Sequence, residues 1–160
     1  MSAEFEIQKT IGRFANSFDL KDWELMKSVL CDKVIVDYSD LRGDPAQEVD
    51  SDTYVQSRKE ALANLHTHHL IGNFETEFSQ NSAKVRASST IFRRSEDRVF
   101  NTHAIYEFGL IKTVGTGWLI DSIKQSVLWN EGDSTVHKAA IGTAHKSLNR
   151  TPNNPGEVQC

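Results

Sequence analysis

Four long segments in the second half of the chain have the composition and turn spacing of β-strands, and they constrain the fold most. They cover approximately residues 69–79, 83–94, 99–113 and 117–129, and the turn-prone sequences QNS, RSED and VGTG separate them. Connections this short are typical of hairpins between antiparallel strands. The sequence therefore predicts a curved, largely antiparallel sheet in this half of the protein.

The first half of the chain predicts helices. Apolar residues recur at helical spacing and predict an amphipathic helix over residues 4–18: Ile7, Ile11, Phe14 and Phe18. DLKDWELMKSVL predicts a second helix, with Asp19 or Asp22 available as its N-cap, and a third is expected from Asp52 to about Leu65. KVIVDY predicts a first strand and LRGDPAQEVDSD a loop. Helices followed by long strands predict an α+β domain in which the sheet wraps against the N-terminal helices as a cone with an open end.

Length and charge limit the functions that this domain can have. A chain of 160 residues fits one domain with a core large enough to enclose a small ligand, here expected over residues 1–132 with 133–160 beyond it. A net charge of -4 and the absence of a dense Lys/Arg run argue against nucleic acid or an anionic membrane as partner. Neither a membrane-spanning stretch nor a signal peptide is evident, and Cys31 and Cys160 have no metal or disulfide spacing, so a cytoplasmic location is expected.

Three motifs in order carry a family resemblance. FANSFDLKDWELMKSVLCDKVIVDY, THHLIGN and GWLIDSIKQSVLWNEGD resemble the scytalone dehydratase-like branch of the SnoaL-like family, within the nuclear transport factor 2-like superfamily, over roughly residues 10–133. The resemblance implies a cone-shaped α+β barrel of mixed or antiparallel strands, a buried pocket for a small-molecule substrate, no cofactor and no metal. It also implies a homo-oligomer, either a trimer or a dimer, and a lid formed over the cone mouth by the segment after residue 132. The final sequence LNRTPNNPGEVQC is rich in Pro, Asn and Gly, which predicts a disordered tail.

The same resemblance implies the site residues. In that family an Asp–His pair transfers a proton while two tyrosines hold a water against the substrate carbonyl. The Asp corresponds to Asp19, the His to His69, and one tyrosine to Tyr38. These three residues are the expected catalytic group.

The substrate-recognition residues depart from the family pattern. Phe18 replaces the second tyrosine, a second pocket histidine falls near Arg94, and Ala104 and Tyr106 stand where the dehydratase has serine and asparagine. Scytalone itself is therefore not the expected substrate. Six side chains are expected to line the pocket: Phe14, Phe18, Tyr54, Arg94, Tyr106 and Trp129.

The chemistry of the catalytic group follows from the residue types. A histidine bonded to a carboxylate keeps one tautomer and can act as a base toward a C–H next to a carbonyl. Tyr38 can donate a hydrogen bond to the resulting enolate, and Arg94 can do the same or bind an anionic group. Expulsion of a β-hydroxyl then gives dehydration, reprotonation gives isomerisation, and internal attack gives cyclisation.

This chemistry predicts a cofactor-independent lyase or isomerase acting on a small oxygenated polyketide- or terpenoid-like molecule of secondary metabolism. One alternative is a cyclase or pericyclase that uses the same cone mainly for its shape and hydrogen bonds. Another is a non-catalytic ligand carrier or association module.

The candidates also have purely structural explanations. Asp19 can cap the helix that follows it, and Tyr38 can fill the core with its hydroxyl bonded to a backbone carbonyl. Arg94 can pair with Glu96 or Asp97 on the surface, and the tryptophans can be packing residues.

The histidines of THHLIGN are distinguished by strand geometry. Adjacent strand residues face opposite sides, so we expect His69 to face the pocket and contact Asp19 while His66 and His68 face solvent. The same alternation argues against a zinc site, because it turns neighbouring histidines to opposite faces of the strand. In addition, no Cys or Glu stands at ligand spacing nearby.

Overall fold

The computed structural model describes residues 2–136, and its helices precede most of its strands. The elements in chain order are α1 Ala3–Leu20, α2 Trp23–Ser28, β1 Leu30–Asp37, α3 Ser39–Arg42, β2 Gln47–Asp50, α4 Ser51–Ala61, β3 His66–Ser79, β4 Ser82–Ser95, β5 Arg98–Thr113 and β6 Gly117–Gly132. The predicted lid and tail lie, beyond residue 136, outside the described residues.

The strands form one curved six-stranded sheet in the order β2-β1-β6-β5-β4-β3. β1 and β6 are parallel, and every other neighbouring pair is antiparallel. The sheet does not close, because β2 and β3 form its two edges. The predicted α+β fold with a mixed sheet on N-terminal helices is confirmed, and the cone is open along one side.

Helix α1 forms because its apolar residues recur on one face and its first turn is capped. Ser2 Oγ accepts a hydrogen bond of 3.3 Å from the backbone N–H of Phe5. Ile7, Ile11 and Phe14 are buried against the inner face of the sheet. Burying such side chains contributes about 1.5–3 kcal/mol each. This packing sets the helix across the sheet and brings its last turn, which carries Asp19, toward β3.

Helices α1 and α2 are separate because the chain turns sharply between them. Lys21 ends α1 in the left-handed conformation, with φ of 53°. Asp22 caps α2, since its Oδ1 accepts a hydrogen bond of 2.9 Å from the backbone N–H of Leu25. Asp19 caps no helix in this arrangement, so its carboxylate is free for another role.

Alternation along β4 and β5 decides which side chains enter the cone. Val85, Ala87 and Ile91 of β4 are buried, as are Tyr106 and Phe108 of β5. The residues that alternate with these, such as Arg86, Thr90 and Glu107, are less buried and face outward. Consequently, a shift of one position in a strand moves a side chain from the pocket to the outer face.

The segment predicted as a loop contains two short elements. α3 has four residues, and β2 pairs antiparallel with β1 in a register that places Lys33 opposite Asp50. β2 is a strand because it forms hydrogen bonds with β1, although its own polar sequence does not predict a strand. Among residues 2–136, no helix combines the length and the apolar character needed to cross a bilayer.

Candidate functional site

A cavity lies between the helices and the inner face of the sheet, and it opens to solvent at its mouth. Aromatic, aliphatic and cationic side chains line it: Phe18, Tyr38, Leu41, Arg42, Arg58, Leu62, Thr67, His69, Arg93, Tyr106 and Gln125. It therefore combines an apolar wall with several hydrogen-bond donors, as small-molecule sites do.

Asp19 and His69 meet at one side of this cavity. Their Oδ1 and Nδ1 atoms are 2.6 Å apart. The backbone N–H of His69 donates to the other oxygen, Oδ2, at 2.7 Å, and the Thr67 hydroxyl donates to Oδ1 at 2.9 Å. Only 9% of the His69 side chain and 14% of the Asp19 side chain are exposed. Three hydrogen bonds thus fix the carboxylate, which in turn fixes the imidazole.

These hydrogen bonds also determine the charge of the pair. Burial alone would raise the pKa of Asp19, but the hydrogen bonds from the side chain and backbone of His69 lower it below its usual value. An ionised carboxylate at 2.6 Å requires the proton of a neutral imidazole to be on Nδ1. The second nitrogen, Nε2, is then unprotonated at the opposite edge of the ring. The Phe18 ring, with its centroid 4.9 Å from that of His69, packs against the imidazole.

Tyrosine hydroxyls provide neutral donors in the same cavity. The hydroxyls of Tyr38 and Tyr54 are 2.8 Å apart, and Gln125 Nε2 donates to the Tyr106 hydroxyl at 2.9 Å. Burial raises the pKa of both Tyr54 and Tyr106 above the usual value, so both phenols stay protonated. Because Gln125 occupies Tyr106 as an acceptor, the O–H of Tyr106 is available to donate to a ligand.

The arginine that β4 contributes to the cavity is Arg93, and the prediction of Arg94 is corrected. The register of β4 places Arg93 opposite Thr67 and Phe100 on the inner face, where it is 7% exposed. Arg94, the next residue, is exposed on the outer face. Among residues 2–136, Arg94 makes no ion pair with Glu96 or Asp97.

The predicted role of Trp129 is also corrected. Its side chain is on the outer face, 52% exposed, and stacks on His103 with ring centroids 4.3 Å apart. Phe14 and Tyr54 are buried behind the cavity wall, stacked on each other at 6.4 Å, and support Phe18 and Tyr38 from behind. Of the predicted lining residues, Phe18 and Tyr106 reach the cavity directly.

Seven lining residues were not predicted as site residues from the sequence: Leu41, Arg42, Arg58, Leu62, Thr67, Arg93 and Gln125. Alternation could have indicated two of them, because Thr67 shares a strand face with His69, and Gln125 is a polar residue on the apolar face of β6. Arg42 and Arg58 are on helices with no local signal of a pocket position. The outer-face histidine, His68, stacks on Phe92 at 6.1 Å. Within residues 2–136, no three His, Cys, Asp or Glu side chains group as metal ligands.

Solved structures share this fold. The Kfla4162 protein from Kribbella flavida is 20% identical, with a TM-score of 0.80 over 84% of this chain and 96% of that one. A protein from Novosphingobium aromaticivorans, described provisionally as a scytalone dehydratase, is 15% identical, with a TM-score of 0.70 over 81% and 87%. The LinA-type3 hexachlorocyclohexane dehydrochlorinase from Novosphingobium barchaimii is 12% identical, with a TM-score of 0.69 over 82% and 90%.

The sequence comparison identifies the family. No functionally curated protein shows significant sequence similarity to the chain. The model of the SnoaL-like domain, however, matches residues 1–124. This match covers α1 to the first half of β6 and includes every residue of the cavity described above except Gln125. The chain therefore belongs to the SnoaL-like domain family.

Proposed function

We propose that this protein is a cofactor-independent lyase or isomerase that removes a proton from a carbon next to a carbonyl group. The observation that carries the proposal is the 2.6 Å contact between Asp19 and His69 at the wall of the cavity. Two structural relatives support the reaction class, since a dehydratase and a dehydrochlorinase both remove a proton together with a leaving group.

The first step is proton abstraction by His69. Nε2 accepts the proton of the acidic C–H, and the electron pair moves into the carbonyl to give an enolate. Asp19 stabilises the imidazolium that forms, and Tyr106 or Tyr38 donates a hydrogen bond to the enolate oxygen. General-base catalysis of this kind typically contributes a factor of about 10²–10⁴ to the rate.

The second step depends on the substrate. If a hydroxyl stands on the β-carbon, the electron pair of the enolate expels it, and His69 returns the proton to give water and an enone. If the enolate is instead conjugated with a C=C bond, His69 returns the proton to the far carbon of that system and the product is an isomer with a shifted double bond. The lining of Phe18, Leu41 and Leu62 beside phenol donors suits a small oxygenated molecule of polyketide or terpenoid type.

Hydrogen–deuterium exchange tests the first step alone. Phenylpyruvate and its uncharged ethyl ester carry the same acidic CH₂ group, and both can be followed by ¹H NMR in D₂O. We expect the wild type to accelerate deuterium incorporation into at least one probe, and His69→Ala to lose that acceleration.

The matched control is His68→Ala, which changes the adjacent histidine on the outer face. It should exchange at the wild-type rate. Exchange of both probes by the wild type at only the rate of His69→Ala would refute the proposed function.

A further inference from the structure

We propose that the substrate carries an anionic group, specifically a carboxylate, and that Arg93 binds it inside the cavity with Arg42 and Arg58 nearby. This inference deepens the proposed function, on which it rests, by naming the charge of the molecule that His69 acts on. Four observations lead to it: the burial of Arg93, the convergence of three guanidinium groups, the lack of a counter-ion, and the position of Arg93 relative to His69.

Arg93 is a buried charge that makes few hydrogen bonds within residues 2–136. It is 7% exposed, and its one hydrogen bond to this part of the chain runs from Nη1 to the Thr102 hydroxyl at 2.8 Å. Its guanidinium is 5.6 Å from the centre of the Phe100 ring. A guanidinium has five N–H groups, and the Arg93 side chain lines the cavity. N–H groups that are not bonded to Thr102 can therefore donate to a ligand there.

Two further guanidinium groups converge on the same space. Arg42 is 5.1 Å and Arg58 5.9 Å from the centre of the Tyr38 ring, and Arg58 is also 5.5 Å from that of Tyr54. Arg42 is exposed as a residue, yet the atoms around its guanidinium and the nearby charge of Arg58 lower its pKa. Burial lowers the pKa of Arg93 to about 10, and repulsion from Arg42 contributes to the shift.

No carboxylate among residues 2–136 compensates these charges. The ion pairs of this part of the chain involve other side chains, and the cavity lining contains three arginines and no Asp or Glu. The nearest acid of the site, Asp19, is committed to His69 and Thr67. Contacts with aromatic rings offset only part of the free energy that is lost when these guanidinium groups are removed from water. An uncompensated buried charge destabilises a protein, so its retention indicates a ligand that neutralises it.

The geometry of the strands sets the ligand's dimensions. His69 is opposite Ile91 in the β3–β4 register, and Thr67 is opposite Arg93. Arg93 is thus two positions along the sheet and one strand across from the base, a backbone separation of about 8 Å at roughly 3.4 Å per residue and about 4.8 Å between strands. One small molecule can therefore place a carboxylate at Arg93 and an acidic C–H at His69. The planar guanidinium matches a carboxylate with two parallel hydrogen bonds.

The experiment compares two probes of equal shape, benzoate and benzamide, by calorimetric titration of the full chain. We expect the wild type to bind benzoate at least about tenfold more tightly, as charge-assisted hydrogen bonds predict. Arg93→Met should abolish this preference. Arg94→Met removes the same charge from the adjacent outward position and should keep it.

Thermal unfolding shows whether the variants are folded. Arg93→Met removes a buried charge that lacks a counter-ion, so we expect its Tm to equal or exceed that of the wild type. Arg58→Met provides a second test. Because Arg58 is only half-buried on α4, this substitution should not disturb folding. It should weaken benzoate binding by a smaller factor and leave benzamide binding unchanged.

The outcome separates this inference from the proposed function. His69→Ala should lose deuterium exchange and keep the preference for benzoate. If the wild type binds the two probes equally or binds neither, or if folded Arg93→Met keeps the preference, the anion site is refuted whatever the exchange assay shows. A preference for benzoate without any exchange would support the anion site and refute proton transfer.

Discussion

Asp19 and His69 are 50 positions apart in the chain, and three hydrogen bonds around the Asp19 carboxylate unite them. The backbone N–H of His69 and the Thr67 hydroxyl hold the carboxylate independently of the imidazole. A substitution at His69 therefore removes the base while leaving the carboxylate anchored to β3.

The pair should behave as one catalytic unit. His69→Ala removes the base, so the exchange rate of the better probe should fall by about 10²–10⁴-fold. Asp19→Asn keeps the shape but no longer stabilises the imidazolium, and it should cause a substantial loss with probe binding largely kept. The double variant should be little slower than His69→Ala, because residues of one unit are non-additive. Fully multiplicative losses in initial exchange rates would contradict this prediction.

The lowered pKa of Asp19 predicts an acid-dependent contribution to stability. Its folded-state pKa is below the ordinary value of 3.8, so the stabilisation is fully present above 3.8 and is lost as the pH falls through the lowered pKa. Urea unfolding of the wild type and Asp19→Asn from about pH 6 to about pH 2 should show the two free energies of unfolding converge at low pH. A difference that is constant over this range would contradict the prediction.

At the scale of elements, the junction between α1 and α2 places the catalytic carboxylate. Lys21 terminates α1, and its backbone N–H bonds to the carbonyl of Phe18 at 3.3 Å. Asp22 then starts α2 and leaves Asp19 in the last turn of α1, pointing to β3. The two acids, three positions apart, thus have separate roles.

Loss of the cap should weaken α2 without affecting the acid–base pair. Asp22→Ala removes the hydrogen bond to Leu25 and should lower the free energy of unfolding by about 1 kcal/mol. Urea denaturation measures this change, and Asp44→Ala, in an exposed loop, is the control that should be silent. Equal destabilisation by both variants would show that the cap contributes nothing. The exchange activity of Asp22→Ala should remain at the wild-type level under native conditions.

At the scale of the whole molecule, the outer face of the sheet has an exposed row that crosses four strands. Leu70 is opposite Thr90, Thr90 opposite His103, and His103 opposite Trp129. Leu70 and Trp129 are more than half exposed, and Phe92 and Leu128 are also exposed nearby. Apolar surface of this kind on a sheet face is typical of contacts between proteins.

We propose that this face joins copies of the chain into a homo-oligomer, a dimer or a trimer. Light scattering at micromolar concentration should give a mass that is a multiple of 18.0 kDa. Leu70→Glu should shift the mass to that of a monomer, and Phe78→Glu, an exposed apolar residue near the end of β3, is the control. A wild type that is monomeric throughout would refute the proposal.

Local sequence patterns determined the elements and most of the fold. The spacing of Ile7, Ile11 and Phe14 predicted α1, and the turn sequences between the strands predicted the hairpins, because both depend on neighbours within a few residues. The contact between Asp19 and His69 was expected from the motif resemblance and strand alternation. β2 was missed because its order comes from pairing with β1 rather than from its own residues. α3 was missed because it is a single turn of four residues that contacts the distant strand β6.

Only the tertiary structure decided which cations enter the cavity. Arg93 and Arg94 are chemically identical neighbours, and the register of β4 against β3 and β5 alone turns the first inward. Arg42 and Arg58 reach the same space from α3 and α4, whose placement depends on packing against the distant sheet. Strand alternation requires that adjacent residues face opposite sides of the sheet. Which of the two faces the cavity is decided by hydrogen bonds to strands that are distant in the sequence. The acid–base pair is therefore readable in the sequence, whereas the charge of the cavity around it is a property of the folded chain.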